Sequence, residues 1–75
     1  MRLSELQDKD VVNIKDGKKI GNIIDVNIDS NGKAVGVLVE RYKFLVSLFN
    51  NNVVEIKWSD IEKIGKDVIL VDVNY

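Results

Sequence analysis

Apolar and polar residues alternate most regularly between Asp16 and Glu40, and this alternation predicts a β-hairpin. The first strand has one face formed by Ile24, Val26 and Ile28 and another formed by Ile23, Asp25 and Asn27. The residues from Asp29 to Gly32 are typical of a chain reversal, because they bond their own backbone or tolerate positive φ. On the returning strand the valines occupy alternate positions, Val35, Val37 and Val39. We expect this hairpin to organise the fold.

Further stretches have the alternating or β-branched composition of short strands, at 11–15, 42–49, 53–58 and 68–73. Asp16-Gly17 predicts a turn before the hairpin strand, and Gly21 within that strand indicates a bend, a bulge or a close backbone approach. Two capping-box patterns, Ser4–Gln7 and Ser59–Glu62, each predict a single helical turn, with Ile61 and Ile64 facing the core from the second. The pattern favours an all-β fold, a small barrel or sandwich of about six mostly antiparallel strands with two one-turn helices.

The 75 residues are expected to form a single domain, 1–75, whose core is near the lower limit for independent stability. The chain contains no Cys, so tight packing or oligomerisation must supplement that core. Eleven basic and 12 acidic side chains give a net charge of −1 with no basic stripe, which argues against nucleic acid as a direct ligand. The longest apolar run is too short to cross a bilayer and no signal peptide is visible, so we expect a cytoplasmic protein.

The carboxylates are the remaining candidates for chemistry, because the chain has neither His nor Cys. The string Asp25-x-Asn27-x-Asp29 is similar to the start of a calcium-binding loop. Counted from Asn27, position six is Gly32 as required, but position twelve is Leu38 where a bidentate glutamate belongs. Alternation along a strand also spreads the three side chains in a row. We therefore expect a turn at this place and no metal site.

Other candidate residues have simpler structural interpretations. Asp25 lacks a visible catalytic partner, so we expect it to accept hydrogen bonds from backbone N–H groups near the rim of the barrel. The stretch GKKIG lacks the Ser or Thr of a phosphate loop and opens a strand. Trp58 is in phase with Val54 and Ile56 and is expected in the core. The sequence therefore predicts no catalytic residue, no cofactor and no enzymatic activity.

The stretch from 42 to 49 has large apolar groups on both faces. Either both faces are covered within the domain, or one face meets a partner. We predict that a second copy of the chain, and another protein, bind at this stretch. The predicted partner and dimer interface consists of Tyr42, Phe44, Leu45, Val46, Leu48 and Phe49.

Three stretches resemble the PRC-barrel superfamily, and within it the small stand-alone bacterial proteins of the YlmC/YmxH type. They are the opening MRLSEL, the segment DGKKIGNIIDVNID and the closing EIKWSDIEKIGKDVILVDV. The resemblance covers nearly the whole chain and implies a compact β-barrel of about six strands. Its matching positions are fold positions, without a catalytic signature. Where relatives of this chain tend to be polar, Gly-rich or basic, it has YKFLVSLFNNN.

The resemblance also implies a class of function. Members of the superfamily occur in a photosynthetic reaction-centre subunit and in a ribosome maturation factor, where the barrel binds other proteins. Stand-alone relatives are linked to sporulation, and archaeal ones to cell division. We predict a non-enzymatic adaptor module that self-associates and docks a protein partner. The alternative is a factor associated with the ribosome or with RNA processing; binding of a small ligand inside the barrel is a weaker option, because side chains should fill so small an interior.

Overall fold

The computed structural model describes residues 1–41 and 52–74 of the chain. Its elements are one short helix, α1 (Leu3–Gln7), and the strands β1 (Asp10–Asn13), β2 (Lys19–Ile28), β3 (Ala34–Arg41), β4 (Val53–Lys57), β5 (Ile61–Ile64) and β6 (Val68–Val71). A 3₁₀ turn, Trp58–Asp60, joins β4 to β5. The regular structure of the described residues is thus mostly β-strand.

All of these strands belong to one sheet with the order β4-β3-β2-β1-β6-β5. Neighbouring strands are antiparallel except β1 and β6, which run parallel from Asp10 opposite Val68 to Asn13 opposite Val71. The predicted all-β class of about six mostly antiparallel strands is confirmed. The two edge strands, β4 and β5, follow one another in the chain, and the sheet stays open between them across the described residues.

The sheet curls around a single buried cluster, to which α1 and all strands except β5 contribute. Its members are Leu6, Val11, Ile20, Ile23, Val37, Val39, Ile56, Ile69 and Val71. Trp58 is half-buried and packs against this cluster together with Val54, Ile61 and Ile64. Trp58 therefore lies at the rim of the cluster and not in the core, where the sequence pattern predicts it.

Two predicted details of the helical turns are corrected. The predicted second turn at Ser59–Glu62 is replaced by the 3₁₀ turn, capped by Lys57, and by β5, because Ile61 pairs with Val71 of β6. In α1, Arg2 rather than Ser4 is the N-cap residue, without a side-chain cap. Gln7 does not complete a capping box; its Nε2 donates to the carbonyl of Ile24, 3.1 Å away. Tertiary pairing thus overrides both local helix signals.

The face assignment along β2 is also wrong, because the strand carries an irregularity. Ile23 is opposite Val39 and Asp25 is opposite Leu38, so Ile24 is an extra residue in the ladder. Its insertion shifts the alternation, so that Ile23 is 2% exposed and Ile24 is 40% exposed. Ile28, at the end of the strand and beyond a second irregularity between Asn27 and Ile28, is 65% exposed. Only Val26 of the predicted apolar face packs against the core.

Glycines occupy the predicted turns and the predicted close approach. Gly17 and Gly32 have φ values of +70° and +80°, a conformation that L side chains rarely adopt. A Cβ at Gly21 would lie 1.9 Å from the carbonyl oxygen of Glu40, so β3 approaches β2 too closely for any side chain there. The structural role predicted for Gly21 is confirmed.

Candidate functional site

The predicted interface residues, Tyr42, Phe44, Leu45, Val46, Leu48 and Phe49, lie outside the described residues. The described residues do fix where this stretch joins the sheet. Arg41 N donates to Asn52 O at 2.8 Å, and the next pair along the two strands is Glu40 opposite Val53. Arg41 and Asn52, which flank this stretch, therefore lie side by side at one end of the β3–β4 pair.

The outer side of β4 presents backbone groups that no described strand pairs with. Residues opposite each other in an antiparallel pair alternate between hydrogen-bonded and non-hydrogen-bonded pairs. The Arg41–Asn52 bond makes that pair a hydrogen-bonded one, so Val54 and Ile56 also point their N–H and C=O groups toward β3. The N–H and C=O groups of Val53, Glu55 and Lys57 point away from β3, toward the side of β4 where no described strand pairs with it.

A groove of about 360 Å³ is bordered by β4, by Ile20 of β2 and by residues 72–74. Across the groove lie residues 72–74, which follow β6. Its apolar lining is Ile20, Val54, Ile56 and Val73, and its polar lining is Glu55, Lys57, Asp60, Asp72 and Asn74. Residues of β4 and the segment that follows β6 thus face the same cavity.

Side chains around the groove are held by specific contacts. Asn27 Nδ2 donates to Glu55 Oε2, which lies over the backbone of Gly36, where a Cβ would be 3.1 Å from the same oxygen. Asp72 Oδ1 is buried and accepts no hydrogen bond within the described residues, but it lies 3.4 Å from Lys15 Nζ in an ion pair. The Glu55 carboxylate is therefore held over β3 toward β2, and Asp72 is paired with Lys15.

Several lysines already have partners within the fold. Lys9 Nζ donates to the carbonyls of Gly65 and Lys66 at 2.7 and 2.8 Å, and Lys19 Nζ lies 3.1 Å from Asp10 Oδ2. With Lys15 beside Asp72, these contacts neutralise or immobilise basic groups that a phosphate backbone would need.

The residues considered as a calcium site form hydrogen bonds with other groups of the protein. Asp25 Oδ1 accepts from the N–H of Val26 at 2.8 Å, a backbone bond of the predicted kind. Asn27 binds Glu55, and Asp29 Oδ1 accepts from the N–H groups of Asn31 and Lys33 in the turn. Among the residues that the structure describes, no group of three or more carboxylates could hold a metal ion.

The open edge of β4 is the feature that sequence reasoning missed. The alternation of Val53, Glu55 and Lys57 on one face gives a signal for a strand, but no local signal for an edge. Edge position depends on the parallel pairing of β1 with β6, which joins residues far apart in the chain. Within residues 1–41 and 52–74, no helix has the length and apolar composition that crossing a bilayer requires.

Comparisons with known proteins place the whole chain in one group. A family model described as the PRC-barrel domain matches residues 1–75. The chain is 41% identical over 71 residues to a probable sporulation protein of Bacillus subtilis, YlmC, covering 92% of this chain and 88% of that one. An uncharacterized protein of the same organism, YmxH, is 32% identical over 76 residues, covering 97% and 89%. An uncharacterized protein of Clostridium acetobutylicum is 35% identical over 71 residues, covering 93% and 82%.

Proposed function

The chain belongs to the PRC-barrel family, and we propose that it is a non-enzymatic, cytoplasmic interaction module that forms a homodimer and docks another protein. The observation that carries the proposal is the place at which the apolar stretch of the sequence leaves the sheet. The Arg41–Asn52 bond holds the two flanking residues together at one end of the β3–β4 pair, and β4 is an edge strand among the described residues. An apolar stretch that leads into an edge strand is suited to contact with a second protein surface.

The small core supports self-association. The buried cluster of the described residues consists of nine aliphatic side chains and contains neither an aromatic ring nor a disulfide. A domain of this size gains stability from the additional apolar surface that a dimer buries. A dimer with twofold symmetry would bury the same stretch on both copies.

The distribution of charge favours a protein partner over RNA. Lys9, Lys15 and Lys19 are bound to carbonyls or carboxylates within the fold, and the net charge of the chain is −1. The relative YlmC is described as a probable sporulation protein. We extend that description to this chain and propose a role in sporulation, with cell division as the second process to which an adaptor of this family would contribute.

The proposal is tested by measuring the mass of the chain in solution by light scattering after size exclusion. Leu45→Lys combined with Phe49→Lys should convert the dimer to a monomer, because two ammonium groups would have to be buried at the interface. The matched control is Ile28→Lys combined with Val35→Lys. These exposed apolar residues lie at the opposite end of the β2–β3 pair, so this variant should remain dimeric. Equal masses for the two variants would contradict the proposal.

A further inference from the structure

The open edge of β4 suggests how two copies meet, an inference that rests on the self-association proposed above. We propose that β4 of one copy pairs antiparallel with β4 of a second copy, with the twofold axis passing at Ile56 and Glu55 opposite Lys57 of the second copy. The two sheets would then form one continuous sheet across the shared edge. Addition of a strand to an exposed sheet edge is a recurrent mode of recognition.

The backbone limits which registers are available. Val53, Glu55 and Lys57 direct their N–H and C=O groups to the open side, as the Arg41–Asn52 bond requires. A hydrogen-bonded pair across the axis must therefore join two of these residues. When Glu55 is opposite Lys57 of the second copy, both symmetry-related pairs exchange N–H···O bonds.

The charges select one of these registers. An axis at Glu55 would place the two Glu55 carboxylates directly opposite each other, which is destabilising. An axis at Ile56 instead places each Glu55 opposite a Lys57 ammonium, so opposite charges meet twice. Both side chains are exposed, and Glu55 Oε2 accepts the bond from Asn27. The edge of β4 is therefore complementary in charge to itself.

Charge reversal tests the register. Glu55→Lys and Lys57→Glu each convert both attractive pairs to repulsive ones, so each variant should weaken the dimer by roughly 10- to 30-fold at low salt. The combined variant, Glu55→Lys with Lys57→Glu, restores opposite charges and should dimerise like the native chain. An equimolar mixture of the two single variants should form a heterodimer. In that mixture one chain carries lysine at both facing positions and the other carries glutamate at both, so opposite charges again meet twice.

The controls separate a pairing effect from a folding effect. Lys57→Glu leaves the Asn27–Glu55 bond intact, so its thermal unfolding should match that of the native monomer even if Glu55→Lys is less stable. At an ionic strength of about 1 M the differences between variants should shrink, because exposed charges are then screened over about 3 Å. Dimer dissociation constants come from sedimentation equilibrium over a concentration series.

Each outcome decides the proposal. Single variants that dimerise as tightly as the native chain would overturn the β4 pairing, as would a loss that neither the combined variant nor the mixture restores. If Leu45→Lys with Phe49→Lys abolishes the dimer while these variants do not, the proposed function stands and the edge pairing fails. The converse result would support the edge pairing and remove the apolar stretch from the dimer interface. A native chain that stays monomeric would contradict both the proposed self-association and the β4 pairing. The partner of the β4 edge would then be an extended segment of a different protein.

Discussion

Asn13 is the buried polar side chain of the described core, only 3% exposed. Its Nδ2 donates to the carbonyl of Val73 at 3.0 Å, and its Oδ1 accepts from the N–H of Lys15 at 3.2 Å. It thus ties the end of β1 to the residues after β6, which form one wall of the groove.

Replacing this side chain should destabilise the fold. Asn13→Ala leaves the part-buried carbonyl of Val73 and the N–H of Lys15 without their partner, and we expect a loss of about 1–3 kcal/mol in the free energy of unfolding. Urea denaturation monitored by Trp58 fluorescence measures this loss. Asn31→Ala, in the exposed turn, is the control and should change the stability by about 0.5 kcal/mol or less. Equal effects of the two substitutions would contradict the role given to Asn13.

Gly21 and Gly17 are needed for different physical reasons, and alanine distinguishes them. A methyl group at Gly21 collides with the backbone of Glu40, so Gly21→Ala must separate β2 from β3 and should cost about 3 kcal/mol or more. Gly17 has open space around it and only a positive φ, so Gly17→Ala should cost about 1–2 kcal/mol. Thermal unfolding of both variants checks the order, and a Gly21→Ala protein as stable as Gly17→Ala would contradict it.

At the scale of elements, the irregularity in β2 decides which isoleucine stabilises the core. Ile23→Ala should cost about 2–5 kcal/mol because it empties a buried position, whereas Ile24→Ala should cost about 1 kcal/mol or less. Chemical denaturation of the two variants measures the difference. If the regular alternation of the sequence were correct, the larger loss would instead occur at Ile24.

The elements also show which local signals can be interpreted from sequence. The turns at Gly17 and Gly32 were predictable because positive φ and Asp side-chain bonds are properties of a few neighbouring residues. The strand β5 was not predictable from sequence. Ser59–Glu62 carries a local helix signal, which the pairing of Ile61 with Val71 overrides. The extra residue at Ile24 depends on the register with β3 and has no local signal either.

At the scale of the whole molecule, one non-local contact sets the architecture. β1 and β6 run parallel, and Asp10 N donates to Asp67 O while Ile14 N donates to Val71 O at the two ends of that pairing. This pairing places β1 inside the sheet and leaves β4 and β5 at its edges. Composition and alternation predicted the all-β class, but the open edge follows from a contact between the two ends of the chain.

The central claim is that this PRC-barrel protein is an interaction module that self-associates. Sedimentation equilibrium of the native chain, followed from low micromolar to millimolar concentration, tests it most directly. We predict a concentration-dependent shift from the mass of one chain to the mass of two, and no further increase, because a twofold interface closes on itself. A folded chain that keeps the mass of a single copy at millimolar concentration would contradict the claim.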